Sequence, residues 1–568
     1  MILKALYDYY NRCDNLPAKG MEEKEIGFLI VLSSEGRFLR FEACRTGKDN
    51  ARVYLVKKHV GRSSAAVANY LYDNSAYVLG VSDKTSGKEQ LYFDTFKAKV
   101  DSIAEVYPDN KDIKAIRVFY NNSREKIVHI VSQDPLWEDI VKNLSKKYST
   151  FSFRIEGDLK IVAEKKDILQ LDASQDASKE NRLCLVSGKH GPSVDTTTAT
   201  MIPGSQATAK LVAFQVNSGY DSYGKSKCGN APISEDAEFA YTTALNAMLQ
   251  KGSRNKFMFG SRTFVFWASN NNKASVEAEG SLFELLGFSE EVNDDPNNNL
   301  MKVRKIFESI YTGILKTGLD DKFYILGLAP NSARIAVVYW SETTLKDFAG
   351  MILKHFSDME IIDTRNDKRP YMGVREIISS VTLGGKMSDA TPNLPEAVVK
   401  SIFQGLPYPA TLYSACIRRI RAEQKLTITR AAIIKAYLNR QINNDKKIEI
   451  MLDKENTNQG YLCGRLFAVL DKIQEDANNI SSIRDRYMNA ASSTPSAVFA
   501  TILNLSVHHA EKLEEGRRVF YEKIKQEIIE KLSANGFPTH LDLQDQGRFF
   551  IGYYHQRQEF FTTKREQQ

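Results

Sequence analysis

The sequence of 568 residues has few cysteines, few histidines and no long apolar run. Its six cysteines lie far apart and no two form a C-x-x-C pair, so neither a zinc knuckle nor a disulfide framework is indicated. No stretch reaches the ~18 consecutive apolar residues of a membrane-spanning helix, and Lys4 and Asp8 interrupt the amino-terminal apolar run. We therefore expect a cytoplasmic protein without a signal peptide or membrane segment.

Residues that could carry metal or cofactor chemistry are also sparse. His508 and His509 lie in a helical pattern with no H-E-x-x-H motif and no carboxylate at ligand spacing. Cys184 and His190 lack an identifiable third partner for nucleophilic chemistry. The sequence therefore predicts no metal site, no cofactor and no catalytic residue.

The apolar pattern predicts a packed α+β protein. Apolar residues make up 42% of the chain and charged residues 26%, as in ordinary globular proteins. Residues 2–10 follow a helical pattern, and short β-like runs lie at 28–32, 37–41, 52–56, 115–120, 126–131, 210–216, 262–268, 323–329 and 334–340. Helical patterns alone follow at 410–424, 428–441, 460–476, 495–513, 516–533 and 542–561. We expect several short-stranded β-sheets in a mixed α/β amino-terminal part, and then an all-α carboxy-terminal helical bundle.

Polar, turn-rich stretches suggest where the chain divides. They lie at 172–178, 291–299 and 386–396. The predicted regions are an amino-terminal α+β region (1–180), a central α+β region (181–390) and a carboxy-terminal helical bundle (391–568).

One segment matches a nucleotide-binding pattern. Gly219, Gly224, Lys225 and Ser226 satisfy G-x-x-x-x-G-K-S after an apolar run at 211–216. In a phosphate-binding loop the Lys-Ser pair enters a helix whose amino-terminal amides hold the phosphates. Here the residues Lys-Cys-Gly-Asn-Ala-Pro come before any helical pattern. A chance match is therefore favoured, and a P-loop-type nucleotide hydrolase is the alternative hypothesis.

Positive charge is concentrated in two segments of a chain whose net charge is +7. Residues 37–62 hold eight Lys and Arg against two acidic residues, and residues 411–441 hold seven against one, so each segment has a net charge of +6. Such segments can hold phosphates, and short polar side chains beside the first can donate to base edges. A solvated surface or internal ion pairing would give the same composition. The two clusters together favour nucleic acid.

Eight distinctive segments span the chain from its first residues to its last. They are MILKALYDYY (1–10), MEEKEIGFLIVLSSEGRFL (21–39), NYLYDNSAYVLG (69–80), CLVSG (184–188), SYGKSKCGNAPIS (222–234), FYILGLAPNSARIAVVYW (323–340), NTNQGYLCGRLFAVLDKIQ (456–474) and DQGRFFIGYYHQRQEFF (545–561). In these segments and their order the chain resembles the large subunit of the type I-C (Dvulg subtype) CRISPR surveillance complex, Cascade. That family has its own SYG-x and NAP pattern where the phosphate-loop match falls, which implies a structural loop there. After CLVSG the chain departs from the longer His-Pro-containing stretch that is common in relatives.

The resemblance implies a non-catalytic subunit that acts in antiviral defence. It implies recognition of the protospacer-adjacent motif in double-stranded DNA, help in unwinding the target and stabilising the R-loop, and presentation of DNA to a helicase-nuclease. The implied partners are the CRISPR guide RNA (crRNA) ribonucleoprotein, target double-stranded DNA, the Cascade backbone and other subunits, a small helical subunit and the helicase-nuclease, with no membrane. A guide-RNA or protein scaffold without DNA readout is a further alternative.

The two basic segments supply the predicted contact residues. For the duplex we predict Lys57, Lys58, Arg62, Ser63, Ser64 and Asn69, with Asn69 reading a base because its amide both donates and accepts. For the displaced strand or adjoining phosphates we predict Arg418, Arg419, Arg421, Arg430, Lys435 and Arg440. The family also tends to make its small subunit from an internal start, and Met451 would begin such a product, residues 451–568.

Overall fold

A computed structural model describes most of the chain. The described residues are 2–47, 50–60, 62, 66–83, 87–146, 148–171, 181–215, 217, 221–250, 252–259, 261–286, 296–364, 373–441, 447–480 and 482–565. They form two compact units, of which the first comprises residues 6–198 and 213–247 and the second residues 1–5, 199–212 and 248–568. Short sheets in the amino-terminal half and helices in the carboxy-terminal part confirm the α+β class. Within these ranges no helix combines the length and apolar composition needed to cross a bilayer.

The first unit is built around a four-stranded sheet. Up to α8 the elements are α1 (Ile2–Arg12), β1 (Met21–Ile26), β2 (Phe28–Leu32), β3 (Phe38–Ala43), β4 (Arg52–Lys57), β5 (Tyr72–Asn74), α2 (Ser75–Val78), α3 (Glu89–Val106), α4 (Lys111–Tyr120), α5 (Arg124–Val131), α6 (Trp137–Lys142), β6 (Thr150–Ile155), α7 (Lys166–Leu169), β7 (Asn181–Leu183), β8 (His190–Pro192) and α8 (Glu235–Leu249). The sheet order is β3-β2-β6-β5, with β2 and β6 parallel, while β1 pairs with β4 in a separate antiparallel ribbon. The predicted strands at 28–32 and 37–41 pair as an antiparallel hairpin, and Gly36 in its turn has a φ of 82°, a conformation that favours glycine.

Two of the predicted strands are helices. Residues 115–120 belong to α4 and residues 126–131 to α5. Asn110 and Ser123 cap these helices by accepting hydrogen bonds from backbone N–H groups of the first turn, which favours a helical start. The helical period was hard to recognise because the apolar runs are short. In α5 the buried face consists of Ile127 and Val131, which lie four residues apart.

The second unit combines a four-stranded antiparallel sheet with a large set of helices. Its elements are β9 (Lys256–Phe259), β10 (Arg262–Ala268), α9 (Lys273–Leu285), α10 (Pro296–Tyr311), β11 (Lys322–Asn331), β12 (Arg334–Thr344), α11 (Leu345–Met359), α12 (Val374–Ser380), α13 (Leu394–Phe403), α14 (Ala410–Glu423), α15 (Ile428–Asn439), α16 (Gln459–Asn478), α17 (Ser482–Ala491), α18 (Pro495–Ala510), α19 (Glu515–Ile529) and α20 (Leu543–Arg565). The sheet order is β12-β11-β10-β9. The predicted strands at 262–268, 323–329 and 334–340 are confirmed, whereas 211–215 form no strand. One core draws residues from both sides of the predicted boundary at 390.

Helix α16 lies at the centre of this core, and nearly all of its residues up to Gln474 are buried. It packs closely against α20. The two backbones are so near each other that a Cβ on Gly464 would lie 1.9 Å from the carbonyl oxygen of Phe549. The six predicted carboxy-terminal helices are confirmed, and the polar helix α17 was missed. Of the predicted boundary stretches, 172–178 and 291–295 lie outside the described residues.

Candidate nucleic-acid interface

The first basic segment leads into the stretch between β4 and β5, and we call its described residues, 58–60, 62 and 66–71, the β4–β5 loop. Lys57, the last residue of β4, is buried, and its ammonium lies 5.1 Å from the centre of the Tyr70 ring. Lys99 of α3 lies 4.0 Å from the centre of the same ring. Attraction between each cation and the ring's π electrons stabilises this arrangement.

Lys58 anchors the start of the β4–β5 loop. Its Nζ donates to the Thr198 hydroxyl at 2.9 Å, lies 3.9 Å from the Glu238 carboxylate and lies 5.1 Å from the centre of the Phe239 ring. The last two residues belong to the first turns of α8. Lys58 therefore joins the loop to α8.

A second contact that anchors the loop joins His59 to Glu22, with the His59 Nδ1 2.6 Å from the Glu22 Oε2. Burial raises the pKa of Glu22, but the hydrogen bond and charge of His59 outweigh it and hold the pKa below its ordinary value. The Tyr72 hydroxyl donates to the carbonyl of Lys57 at 2.7 Å. These contacts connect both ends of the loop to the β1–β4 ribbon.

Arg62 and Asp73 clamp the two sides of the loop together. The Asp73 side chain is buried, pairs with the Arg62 guanidinium and accepts a hydrogen bond from the backbone N–H of Asn69 at 3.0 Å. Arg62 also donates through Nε to the Val67 carbonyl at 2.7 Å. Its guanidinium carbon lies 3.9 Å from the centre of the Tyr77 ring. The guanidinium is thus fixed in position by an ion pair, a hydrogen bond and a ring.

This clamp distinguishes the predicted contact residues. Asn69 is only 7% exposed, and its side-chain oxygen accepts a hydrogen bond from the backbone N–H of Val60 at 2.9 Å. The geometry therefore favours Asn69 as a residue that shapes the loop over a residue that reads a base. Arg62 is 28% exposed and is the better candidate for contact with DNA. Ser63 and Ser64 lie outside the described residues.

Sequence reasoning missed the residues that hold the cations in place. They are Asp73 and the rings of Tyr70 and Tyr77, and a further cation beside the Tyr70 ring, Lys99 of α3, was missed as well. The motif NYLYDNSAY (69–77), which places aromatic residues between short polar residues directly after the basic segment, was the available signal. Lys99 had none, because its approach to Tyr70 depends on the packing of α3.

In the second basic segment, three of the predicted cations are buried on or beside α15. Arg430 donates to the Ser380 carbonyl at 2.9 Å, and Lys435 donates to the Asp358 carbonyl at 3.1 Å. Arg440 is paired with the Asp358 carboxylate at 2.5 Å. The pKa of Lys435 is lowered by burial. Instead of the groove-lining position expected from their charge pattern, these three side chains have structural partners in the interior.

The carbonyls that these cations contact lie at the carboxyl ends of helices. Ser380 is the last residue of α12, Asp358 lies one residue before the end of α11, and Ser401, whose carbonyl accepts from Arg440 at 2.6 Å, lies in the last turn of α13. The last carbonyls of a helix lack intrahelical partners and carry partial negative charge. The cations of α15 and its end therefore cap three helices.

The predicted cations of α14 have different environments. Arg418 is exposed, Arg419 is paired with Glu423 at 2.6 Å, and Arg421 is partly buried. Arg486 of α17 is also exposed, and it lies next to Asp485, whose carbonyl accepts from Gln424 directly after α14. The start of α17 therefore lies beside the end of α14.

The phosphate-loop match lacks the helix that its chemistry needs. Ser226 is extended, a short 3₁₀ helix follows at Lys227–Asn230, and α8 begins only at Glu235. Gly219 lies outside the described residues. Without a helix amino terminus at Lys225, backbone amides do not converge on a phosphate there. The geometry gives no support to the nucleotide-hydrolase hypothesis. Among the described residues, no group of three or more His, Cys, Asp or Glu side chains is placed to hold a metal ion.

Met451 lies between α15 and α16 and is 59% exposed. The carbonyl of the preceding Ile450 accepts from the backbone N–H of Ile362 at 2.9 Å. The Tyr413 hydroxyl donates to the carbonyl of Leu543 at 2.7 Å. In the full chain, residues 451–568 therefore pack against earlier helices of the second unit.

Comparison with known proteins gives the family. A search of curated proteins found no match. The model of the family described as CRISPR-associated protein (Cas_Csd1) matches residues 6–561, which is nearly the whole chain. The resemblance carried by the eight sequence segments is therefore confirmed, and the chain belongs to this CRISPR-associated family as a subunit of a Cascade complex.

Proposed function

We propose that this chain reads the protospacer-adjacent motif in double-stranded DNA for its Cascade complex and performs no bond-breaking chemistry itself. In this role it helps to unwind the target, stabilises the R-loop beside the guide RNA and presents DNA to a helicase-nuclease. The observation that carries the proposal is the β4–β5 loop, in which buried Asp73 holds the partly exposed guanidinium of Arg62 in one orientation.

Recognition of the adjacent motif requires only a few contacts from the protein. In RNA-guided systems base pairing with the guide supplies most of the sequence specificity, and the protein reads only a few base pairs of duplex. A fixed guanidinium can donate two hydrogen bonds to a guanine edge or to a phosphate. Holding Arg62 by Asp73 and Tyr77 reduces the conformational entropy that it loses on binding.

The basic surface of α14 and α17 suits backbone contact. Exposed Arg418 and Arg486 can neutralise phosphates of the displaced strand, with Arg419 and Arg421 beside them. Arg430, Lys435 and Arg440 have a structural role instead, because they join α15 and its end to the carboxyl ends of α12, α11 and α13.

The test is a binding assay on the assembled complex with a library of targets that differ only in the adjacent motif. Complex containing Arg62→Ala should lose discrimination between motifs by ~1–3 kcal/mol, the usual range for a base contact. Arg117→Ala, which removes an exposed arginine from α4 of the same unit, is the matched control. Undiminished discrimination by complex that lacks this chain would overturn the proposal, and equal weakening on all motifs would reassign Arg62 to phosphate contact.

We also propose that translation starting at Met451 supplies the small helical subunit. Met451→Leu should remove a product of residues 451–568 while the full chain persists, and mass spectrometry of the purified complex measures both. A short product that persists with the same amino terminus would contradict this start site.

A further inference from the structure

We infer that residues 221–230, the loop that leads toward α8, hold an unpaired nucleic-acid strand, with the Tyr223 ring stacking on a base and Lys225 contacting a phosphate. This loop contains the described part of the phosphate-loop match. It is called the Tyr223 loop below. The inference rests on the proposed function, because a subunit that helps to open DNA has to handle an unpaired strand.

The backbone of the Tyr223 loop is held in an uncommon conformation. Tyr223 has a φ of 58° and Lys227 a φ of 51°, in the left-handed region that residues with a Cβ seldom adopt. The side-chain amide of Asn230 donates to the Ser222 carbonyl at 2.9 Å, and the backbone N–H of Lys225 donates to the same carbonyl at 3.2 Å. A conformation of this kind persists only where its surroundings impose it, and it is concentrated at functional sites.

The result of this conformation is an aromatic ring presented to solvent. The Tyr223 side chain is 93% exposed, and Lys225 beside it is exposed as well. The positive φ and the hydrogen bonds to the Ser222 carbonyl fix the backbone from which this exposed ring projects.

Positive charge accompanies the ring. A Cβ on Gly229 would lie 2.9 Å from a guanidinium nitrogen of Arg182 and 3.0 Å from the Cβ of Lys225. The absence of a side chain at this position therefore leaves room for the Arg182 guanidinium near the base of the Lys225 side chain. Lys227 also lies in the loop, where it pairs with Asp195.

An exposed ring with adjacent cations is the combination by which proteins bind single strands. Bases stack on aromatic side chains whatever their sequence, while cations follow the phosphates. A base in intact duplex is stacked on its neighbours and offers no free face, so the arrangement favours an unpaired strand. Because Tyr223, Arg182 and Lys58 belong to the same unit, this site and the β4–β5 loop belong to one unit of the chain.

The test measures binding of the full chain to a fluorescently labelled oligothymidylate of about 20 nucleotides, long enough for one or more single-strand sites. Tyr223→Asn removes the ring and keeps a residue that tolerates a positive φ. It should weaken binding at least about fivefold, the lower end for loss of a stacked base. Tyr223→Phe should bind as the wild type does, and Leu159→Ala, which removes another side chain that is 94% exposed in this unit, should have no effect.

Salt dependence separates the two contacts. Lys225→Ala should reduce the slope of log affinity against log salt by about 0.7, the value for one phosphate on a single strand. Tyr223→Asn should leave that slope unchanged.

The inference is overturned if the wild-type chain does not bind the oligothymidylate, or if Tyr223→Asn binds it unchanged. Loss of subunit assembly in Tyr223→Asn with intact oligothymidylate binding would make the loop a protein contact and would also overturn it. Failure of the proposed function would appear elsewhere, in motif discrimination by the assembled complex, so the two failures are distinguishable.

Discussion

Arg62 in the β4–β5 loop and Arg440 after α15 each pair with an aspartate, yet one side chain is 28% exposed and the other 2%. The two arginines differ in the partners of those guanidinium N–H groups that do not pair with the aspartate. Arg440 also donates to the carbonyls of Ser401 and Leu406, whereas among the described residues Arg62 has one carbonyl partner, Val67. A carboxylate alone therefore does not decide whether an arginine is buried. Unpaired carbonyls at helix ends supply the additional partners, and they are available where many helices meet.

The largest effect is expected at Arg440, the buried arginine of this comparison. Arg440→Met removes the closer cation from the Asp358 carboxylate, leaving Lys354 at 3.5 Å, and should lower the free energy of unfolding by about 3–5 kcal/mol. Urea denaturation followed by tryptophan fluorescence measures the change. Arg418→Met, at an exposed arginine of the same unit, should stay within about 0.5 kcal/mol. Equal small losses for both variants would mean that the buried pair does not stabilise the fold.

A second test uses two buried histidines that lie near these cations. Burial, together with the charge of Arg440, lowers the pKa of His355 to about 3, and burial, together with the charge of Lys435, lowers that of His555 to about 3. Each ring is neutral in the fold and shares a hydrogen bond with a tyrosine hydroxyl. The unfolded chain binds protons below its ordinary histidine pKa of 6.5, so stability is fully present above pH 6.5 and falls as the pH drops toward 3.

The expected slope is about 1.4 kcal/mol per histidine per pH unit once the pH is well below 6.5. Urea denaturation at pH 7, 6 and 5, in a Trp137→Phe background, follows the second unit through Trp267 and Trp340. Replacing both histidines by glutamine should flatten the slope by the sum of the two contributions. A slope unaffected by the double substitution would show that these rings do not carry the pH dependence.

Substitution of Asp73 tests Arg62, the more exposed arginine of this comparison. Asp73→Asn removes the charge that holds Arg62 and should cost about 1–3 kcal/mol, since buried donors lose a charged acceptor. In the assembled complex it should also reduce motif discrimination in the same direction as Arg62→Ala. Asp101→Asn, which breaks a more exposed pair with Arg117 in the same unit, should change neither quantity measurably. Intact discrimination in Asp73→Asn would remove the clamp from the recognition mechanism.

The smallest effect on stability is expected at Arg418. Arg418→Ala should leave the unfolding free energy within about 0.5 kcal/mol. It should lower DNA affinity for all motifs alike and reduce the salt slope by about 0.7 to 0.9 for one phosphate. Filter binding at several salt concentrations measures both. An unchanged slope would exclude Arg418 from the phosphate contacts.

Long helices with a clear apolar face were predicted well from the sequence. The six carboxy-terminal helices and the three strands of the second unit's sheet are confirmed, because their patterns extend over several turns or a full strand. Residues 115–120 and 126–131 were mistaken for strands because their apolar runs are short, and the capping hydrogen bonds of Asn110 and Ser123 favour helices there.

The amino-acid sequence by itself determined the α+β class, the helical carboxy-terminal part, the two basic segments and, through eight ordered segments, the family. Only the tertiary structure decided which cations face solvent and which cap helices. The charge pattern shows how many cations a segment has, whereas their environment depends on partners that are distant in sequence, such as Asp358 for Arg440 and Tyr70 for Lys99. Removing a cation from water costs free energy unless such partners surround it. The arrangement of the helix ends therefore determines which cations are buried.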